Sequence, residues 1–283
     1  MSHVVSKDGT AIAFEKSGAG PPLILVDGAL CYRASGPARP LAALLASHFT
    51  VFTYDRRGRG ESTDKAPYAV AREVEDIDAL IKEAGGSAYV YGISSGAALS
   101  LEAAKRGLRI TKLAVYEAPF IVDNSRTPLP DDYLDRLKAL VASNRRAAAV
   151  RFFLEAVGVP AVFILLMRFM PAWRNLKAVA HTLVYDITIL DGDQRGTPLS
   201  RTRWAGITVP TLVAVGGKSP AWMRHAMDAL RDVLPNVQYR VLDGQTHMVS
   251  PKSLAPVLVE FFRADSAVPT VASLTRSGDR DAH

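Results

Sequence analysis

Cysteine is almost missing. The 283-residue chain has one, Cys31, so no intrachain disulfide can form. A chain of this kind suits a reducing compartment, and the expected localisation is cytoplasmic. The first residues, Met-Ser-His-Val-Val-Ser-Lys-Asp, hold no apolar run of signal-peptide length. Long hydrophobic runs are missing elsewhere too. The most apolar stretch, residues 156–167, is interrupted by Gly158 and Pro160 and bounded by Glu155 and Arg168. It is too short to span a bilayer. It reads as a buried or pocket-lining helix, with a helix touching a membrane surface as the other reading, and no stable membrane association is expected. Internal repeats and low-complexity segments are absent, so a solenoid or a low-complexity chain is excluded.

What is present describes a globular protein. Hydrophobic residues make up 48% and charged residues 22%, enough apolar content for a sizeable core. Lys and Arg number 34 against 28 Asp and Glu, a net charge of +6. The basic residues read as scattered, densest at Arg56-Arg57-Gly58-Arg59 and Arg145-Arg146, with no aromatics between them. That pattern fits a solvated surface better than a nucleic-acid face, and no nucleic-acid partner is expected. The glycines of residues 55–62 are not followed by the Lys-Ser/Thr pair or the dinucleotide pattern of a nucleotide loop. No cofactor and no metal are expected.

Strand and helix signals alternate. Residues 4–6 and 11–16 flank Asp8-Gly9, a hairpin signal. Residues 23–26 form a continuous apolar run of the kind covered on both faces of a sheet. A short helix is predicted over residues 40–47, a strand over 50–54, and an amphipathic helix over 72–84 that ends at Gly85-Gly86. Further strands are predicted over 88–93, 112–116, 211–215 and 238–242, with helices over 222–234 and 253–262. Residues 120–204 carry helical signals and no clear strand. The class is therefore α/β, a mostly parallel central sheet flanked by helices with an inserted helical cap. Residues 1–119 and 205–264 are predicted as the core, 120–204 as the cap, and 265–283 as a mobile tail.

One stretch carries chemistry. Gly92-Ile93-Ser94-Ser95-Gly96 has the G-x-S-x-G spacing of a nucleophile elbow. A serine held in a strained strand-to-helix turn needs small residues two positions away on each side. Ser94 has Gly92 and Gly96 there; Ser95 has Ile93 and Ala97. Ser94 is the candidate nucleophile.

Four motifs then occur in order: Asp27-Gly28-Ala29 after the third strand, Asp55-Arg56-Arg57-Gly58-Arg59-Gly60-Glu61-Ser62 after the fourth, the elbow after the fifth, and Gly244-Gln245-Thr246-His247 after the last. In this order they resemble the α/β-hydrolase superfamily, in its cap-bearing serine hydrolase branch, from about residue 4 to 262. The resemblance places the catalytic base at His247. It departs at the acid, because the loop after the seventh strand, residues 215–222, has no carboxylate. Some members carry the acid after the sixth strand, where this chain has Glu117. Other readings stay open: Glu117 as a strand-end carboxylate paired with a cap arginine, with the acid role taken by Asp123 or by a water-linked arrangement. The oxyanion donors implied are the N–H groups of Ser95 and Ala29. Asp27 stands where the family usually has histidine. Its carboxylate either points away, hydrogen-bonded in the turn, or serves a different reaction. Leu30, Cys31, Trp222 and Met248 join Asp27 as expected substrate-binding positions. Cys31 reads as pocket lining, not as a nucleophile. The charges of residues 55–62 are expected to pair among themselves.

The expected function is hydrolysis of an ester, thioester or related acyl compound by a Ser-His-Glu triad, on an apolar small molecule. The alternative is a lyase, cyclase or acyltransferase on the same scaffold.

Overall fold

Short apolar runs become the centre of one twisted sheet. The computed structural model describes residues 2–264, so the predicted tail over 265–283 lies outside the described residues. Strands β1 (Ser2–Val5) and β2 (Ala11–Ser17) form the hairpin predicted around Asp8-Gly9. Then come β3 (Pro22–Val26), α1 (Ala38–Leu45), β4 (Thr50–Tyr54), α2 (Val70–Glu83), β5 (Ala88–Ile93), α3 (Ser95–Lys105) and β6 (Ile110–Tyr116). After a long helical segment the sheet resumes with β7 (Thr211–Gly216), α10 (Ala221–Val233), β8 (Val237–Leu242) and α11 (Pro251–Arg263). The strand order is β1-β2-β4-β3-β5-β6-β7-β8. The pairs from β4 to β8 are parallel; β1 and β2 are antiparallel additions at one edge. This is the α/β-hydrolase fold.

Strand periodicity of two sorts the side chains between the faces. Ile24, Val26, Phe52, Val90, Val115 and Val213 face α2, α3 and α10. Leu23, Leu25, Val51, Tyr91, Ala114 and Leu212 face α1 and α11. The central strands are covered on both sides, which is why they read as continuous apolar runs. Predicted helix limits shift by a few residues. The first helix starts at Ala38 instead of 40, and α2 starts at Val70 instead of 72, because neither Pro37 nor Ala69 offers a side-chain cap to mark the boundary.

Between β6 and β7 lie α4 (Tyr133–Ala142), α5 (Arg146–Ala156), α6 (Ala161–Met167), α7 (Ala172–Ala178), α8 (Leu183–Ile189) and α9 (Arg201–Trp204). This insertion has its own small core of Tyr133, Leu137, Val150, Leu154, Ile164, Trp173 and Leu183, which Leu30 from the loop after β3 joins.

A buried ionic network fastens the insertion to the sheet. Asp186 of α8 receives Arg56 on Oδ1 and Arg59 on Oδ2, each at 2.7 Å. Arg56 also grips Glu73 of α2 through Nε (2.7 Å) and Nη2 (2.9 Å). Arg57 pairs with Asp76 at 2.7 Å and Asp8 at 3.0 Å. The expectation that residues 55–62 pair among themselves is therefore corrected. Their arginines point inward, where a guanidinium must have carboxylates, and α2, α8 and the hairpin turn supply them. Within the segment, Asp55 accepts the Glu61 N–H at 2.9 Å, and it also holds Arg33 at 3.0 Å. Removing Asp186 would leave buried Arg59 without its carboxylate and Arg56 with Glu73 alone. Asp186→Ala is expected to cost about 3–5 kcal/mol of stability in urea unfolding followed by circular dichroism; a loss below about 1 kcal/mol would show that apolar contacts alone seat the insertion.

Candidate active site

Steric crowding shapes the elbow. Ser94 follows β5 with φ 58° and ψ −129°, a conformation that a residue with a Cβ rarely takes. A Cβ on Gly92 would lie 2.5 Å from Gly96 O, and one on Gly96 would lie 2.2 Å from Val26 O. Both contacts are impossible, so the two glycines let β3, β5 and α3 close on one another. Ser94 ends half-buried at the C-terminal edge of the sheet, ahead of the N-terminus of α3, where helix N–H groups favour negative charge.

The loop after β3 runs along the serine. A Cβ on Gly28 would lie 2.9 Å from Ser94 Cβ and 3.4 Å from its Oγ. Arg59 holds this loop by donating from Nη1 to Gly28 O at 2.6 Å and to Cys31 O at 3.1 Å. The peptide is planar, so the direction of the Gly28 carbonyl sets that of the Ala29 N–H on the other side of the same bond. Arg56 Nη1 similarly reaches Asp27 O at 3.2 Å and Ser95 Oγ at 3.3 Å. Ser95 Oγ donates to Asp186 Oδ1 at 2.7 Å. The buried arginine network thus touches both chain segments that flank Ser94.

Glu117 stands at the end of β6 with φ 48°, another strained backbone position. Its side chain is 0% exposed. A carboxylate there needs several donors. Oε1 accepts the Gly216 N–H at 2.7 Å and the Ser219 hydroxyl at 2.5 Å. Oε2 meets His247 Nδ1 at 2.8 Å. The loop after β7 that lacks a carboxylate is therefore the loop that cradles one. His247 is also located through the backbone, since the Tyr116 hydroxyl donates to Thr246 O at 2.7 Å. Ser94 belongs to the same corner, its N–H donating to Tyr116 O at 3.0 Å. Nothing local in the sequence marked Ser219 or Asp186. Ser219 lay in the position noted only for what it lacked, and Asp186 is one polar residue in a helical stretch.

The other candidates fall as follows. Asp27 is buried, and a Cβ on Gly36 would lie 2.8 Å from its Oδ2. A hydrogen bond from the Ala38 backbone turns the carboxyl toward the start of α1, while Gly28 lies against Ser94. Burial pushes the Asp27 carboxyl up to about 7, against the pull of Arg59 and Arg56. Burial, with Asp27 adding to it, pushes the Cys31 thiol up to about 12, which keeps it protonated at neutral pH. Leu30 packs into the insertion core from a left-handed backbone, φ 62°. Trp222 lies under the Arg126 guanidinium, 4.1 Å from its ring centroid. Met248 is 84% exposed and turns to solvent. Asp123 pairs with His225 at 2.6 Å, so it is engaged away from His247. Among the described residues no cluster of His, Cys, Asp and Glu is arranged to hold a metal ion.

The sequence pattern of the Alpha/beta hydrolase family matches residues 17–257. The chain belongs to the alpha/beta hydrolase family. An alpha/beta hydrolase from Sphaerobacter thermophilus is 55% identical, with a TM-score of 0.85 over 92% of this chain and 100% of that one. A thermophilic esterase from Thermogutta terrifontis shares the fold at 20% identity and a TM-score of 0.66, over 93% of this chain and 97% of that one. The uncharacterized hydrolase YraK of Bacillus subtilis is 36% identical over 101 residues, 33% of this chain and 35% of its own length. The match thus spans about a third of that relative.

Asp27 gives this family member a pH signature. Its carboxyl titrates near 7 in the fold and near 3.8 when unfolded. Between those values the native state holds a proton that the unfolded chain releases. This contribution to stability is therefore full below pH 3.8 and is lost as pH rises to about 7. Asp27→Asn is expected to flatten that part of the Tm–pH curve and to raise Tm relative to the parent most at and above pH 7. An unchanged curve shape in differential scanning calorimetry would place the titration elsewhere.

Proposed function

We propose that this chain is a serine hydrolase of an ester, thioester or related acyl small molecule, with Ser94, His247 and Glu117 as its triad. The observation that carries the reading is the Glu117–His247 contact at 2.8 Å on the corner where Ser94 is anchored. With Nδ1 committed to Glu117, Nε2 is the ring nitrogen left to act as base. Glu117 keeps the tautomer and stabilises the imidazolium, and Gly216 and Ser219 keep Glu117 in place.

In the reaction the Ser94 hydroxyl oxygen bonds to the acyl carbon while His247 Nε2 takes its proton. The carbonyl π electrons move to oxygen, and the N–H groups of Ser95 and Ala29 hold that oxyanion. The carbonyl re-forms, the bond to the leaving group breaks, and His247 protonates the leaving group. Water then attacks the acyl-enzyme with the same base, and Ser94 is released with the acid. Arg59 acts as a positioning residue, since it orients the Gly28–Ala29 peptide that bears one of these N–H groups, while Arg56 holds the neighbouring Asp27 carbonyl and the Ser95 hydroxyl. Residues 120–204 serve as the cap over the core of residues 1–119 and 205–264, with Leu30, Cys31 and Trp222 beside the acyl compound. A mostly apolar lining with a few polar groups suits a small apolar substrate.

Short-chain p-nitrophenyl esters and a fluorophosphonate probe test the proposal. The expected outcome is turnover with one label per chain on Ser94, both abolished in Ser94→Ala. Turnover that survives this change would overturn the triad. Glu117→Gln is expected to lower kcat about 100-fold or more; a near-normal rate would mean another group orients His247. Arg59→Lys keeps a cation for Asp186 but loses the fork that reaches Gly28 and Cys31. Its kcat is expected to fall about tenfold with KM little changed, whereas a pure KM effect would remove Arg59 from the oxyanion loop's support.

A further inference from the structure

The basic excess of this protein is concentrated. Residues 136–185 carry eight Lys and Arg and a single acid, Glu155, which leaves 26 cations against 27 anions in the rest of the chain. Of the two densest basic spots in the sequence, Arg56, Arg57 and Arg59 are buried and paired, which leaves Arg145-Arg146 on the surface. The cations of this stretch belong to the insertion.

The same segment exposes an apolar surface. In α6 and the turn after it, Val162, Phe163, Leu165, Leu166 and Met170 are each more than half exposed, and Phe169 is 83% exposed. Ile164 is the buried residue of α6; it packs with Leu154 and Trp173 and turns the others outward. Consecutive exposed side chains of this size exceed what an ordinary soluble face carries. Arg168 interrupts them and is itself exposed. The next helix, α7, brings Arg174 and Lys177 to an open groove of about 700 Å³ that it shares with Arg145 and Arg146 at the start of α5. Arg174 thus links the apolar helix to a groove lined by four cations.

We propose that this face of the insertion docks on an anionic lipid surface. The apolar side chains of α6 enter the headgroup–acyl boundary, and Arg168, Arg174 and the groove take lipid phosphates. Charge complementarity selects this occupant. A second copy of the chain seated symmetrically on the patch would bring two basic rims together. A nucleic acid would satisfy the arginines but would leave exposed Leu and Phe with nothing to bury them. The attachment is peripheral and reversible, because no helix among the described residues is long and apolar enough to cross a membrane. It places the insertion at the source of apolar acyl compounds, yet it does not depend on the triad reading.

Vesicle flotation of the full chain tests this directly. The protein is expected to float with phosphatidylglycerol vesicles at low salt, to remain behind with phosphatidylcholine vesicles, and to be released from phosphatidylglycerol by high salt. Leu166→Ser with Phe169→Ser, and separately Arg168→Gln with Arg174→Gln, are each expected to weaken binding about tenfold or more. These side chains are exposed, so Tm and circular dichroism should match the parent. Equal flotation of both variants and the parent, or equal binding to both lipids, would overturn the proposal. So would a dimer in sedimentation analysis that the Leu166→Ser/Phe169→Ser change dissolves, or binding of duplex DNA as tight as binding of the vesicles. Ester hydrolysis by Ser94 is read separately, and its failure would leave flotation unchanged.

Discussion

Two guanidinium groups sharing one buried carboxylate hold this structure together. Arg56 and Arg59 leave the loop after β4, turn into the protein, and meet on Asp186 of the insertion. Burying those charges is costly unless every one is paired. The arginines have donors to spare, and the remaining ones go to Asp27 O, Gly28 O, Cys31 O, Ser95 Oγ, Thr182 Oγ1 and Glu73. The seat of the insertion and the shape of the loop beside Ser94 are therefore set by the same hydrogen bonds. A shift in one must be felt in the other, because no partner in this network can move without exposing a charge to an apolar interior.

The second constraint lies at the ends of β6 and β7. Parallel neighbours bring Glu117 and Gly216 side by side, and the carboxylate takes up the donors of the β7 loop. An acid on either strand would end at nearly the same point in space, since both strands finish at the same edge of the sheet. The chain carries its acid on β6 and uses the β7 loop, through Ser219, to hold it.

Much of the architecture was legible residue by residue. The continuous apolar run of β3 announces a strand covered on both faces, and Asp8-Gly9 marks the hairpin. Gly92 and Gly96 mark the elbow for a reason that is local and steric, so Ser94 stood out from Ser95 before any contact was known. Glu117 was harder to read. Its place at a strand end was visible, but the sequence left open whether it faced a cap arginine or His247.

The chain order of motifs was enough to establish an α/β sheet with Ser94 at its elbow, because periodicity and glycine spacing are properties of neighbours along the chain. Only the folded structure decided that Glu117 rests on Ser219 and His247, that Arg56, Arg57 and Arg59 point inward to Glu73, Asp76 and Asp186, and that Arg145, Arg146, Arg174 and Lys177 line one groove. Those partners lie up to 130 residues apart. Which of many possible carboxylates a buried arginine meets is set by how helices pack, and packing leaves no mark in the spacing of either residue's neighbours.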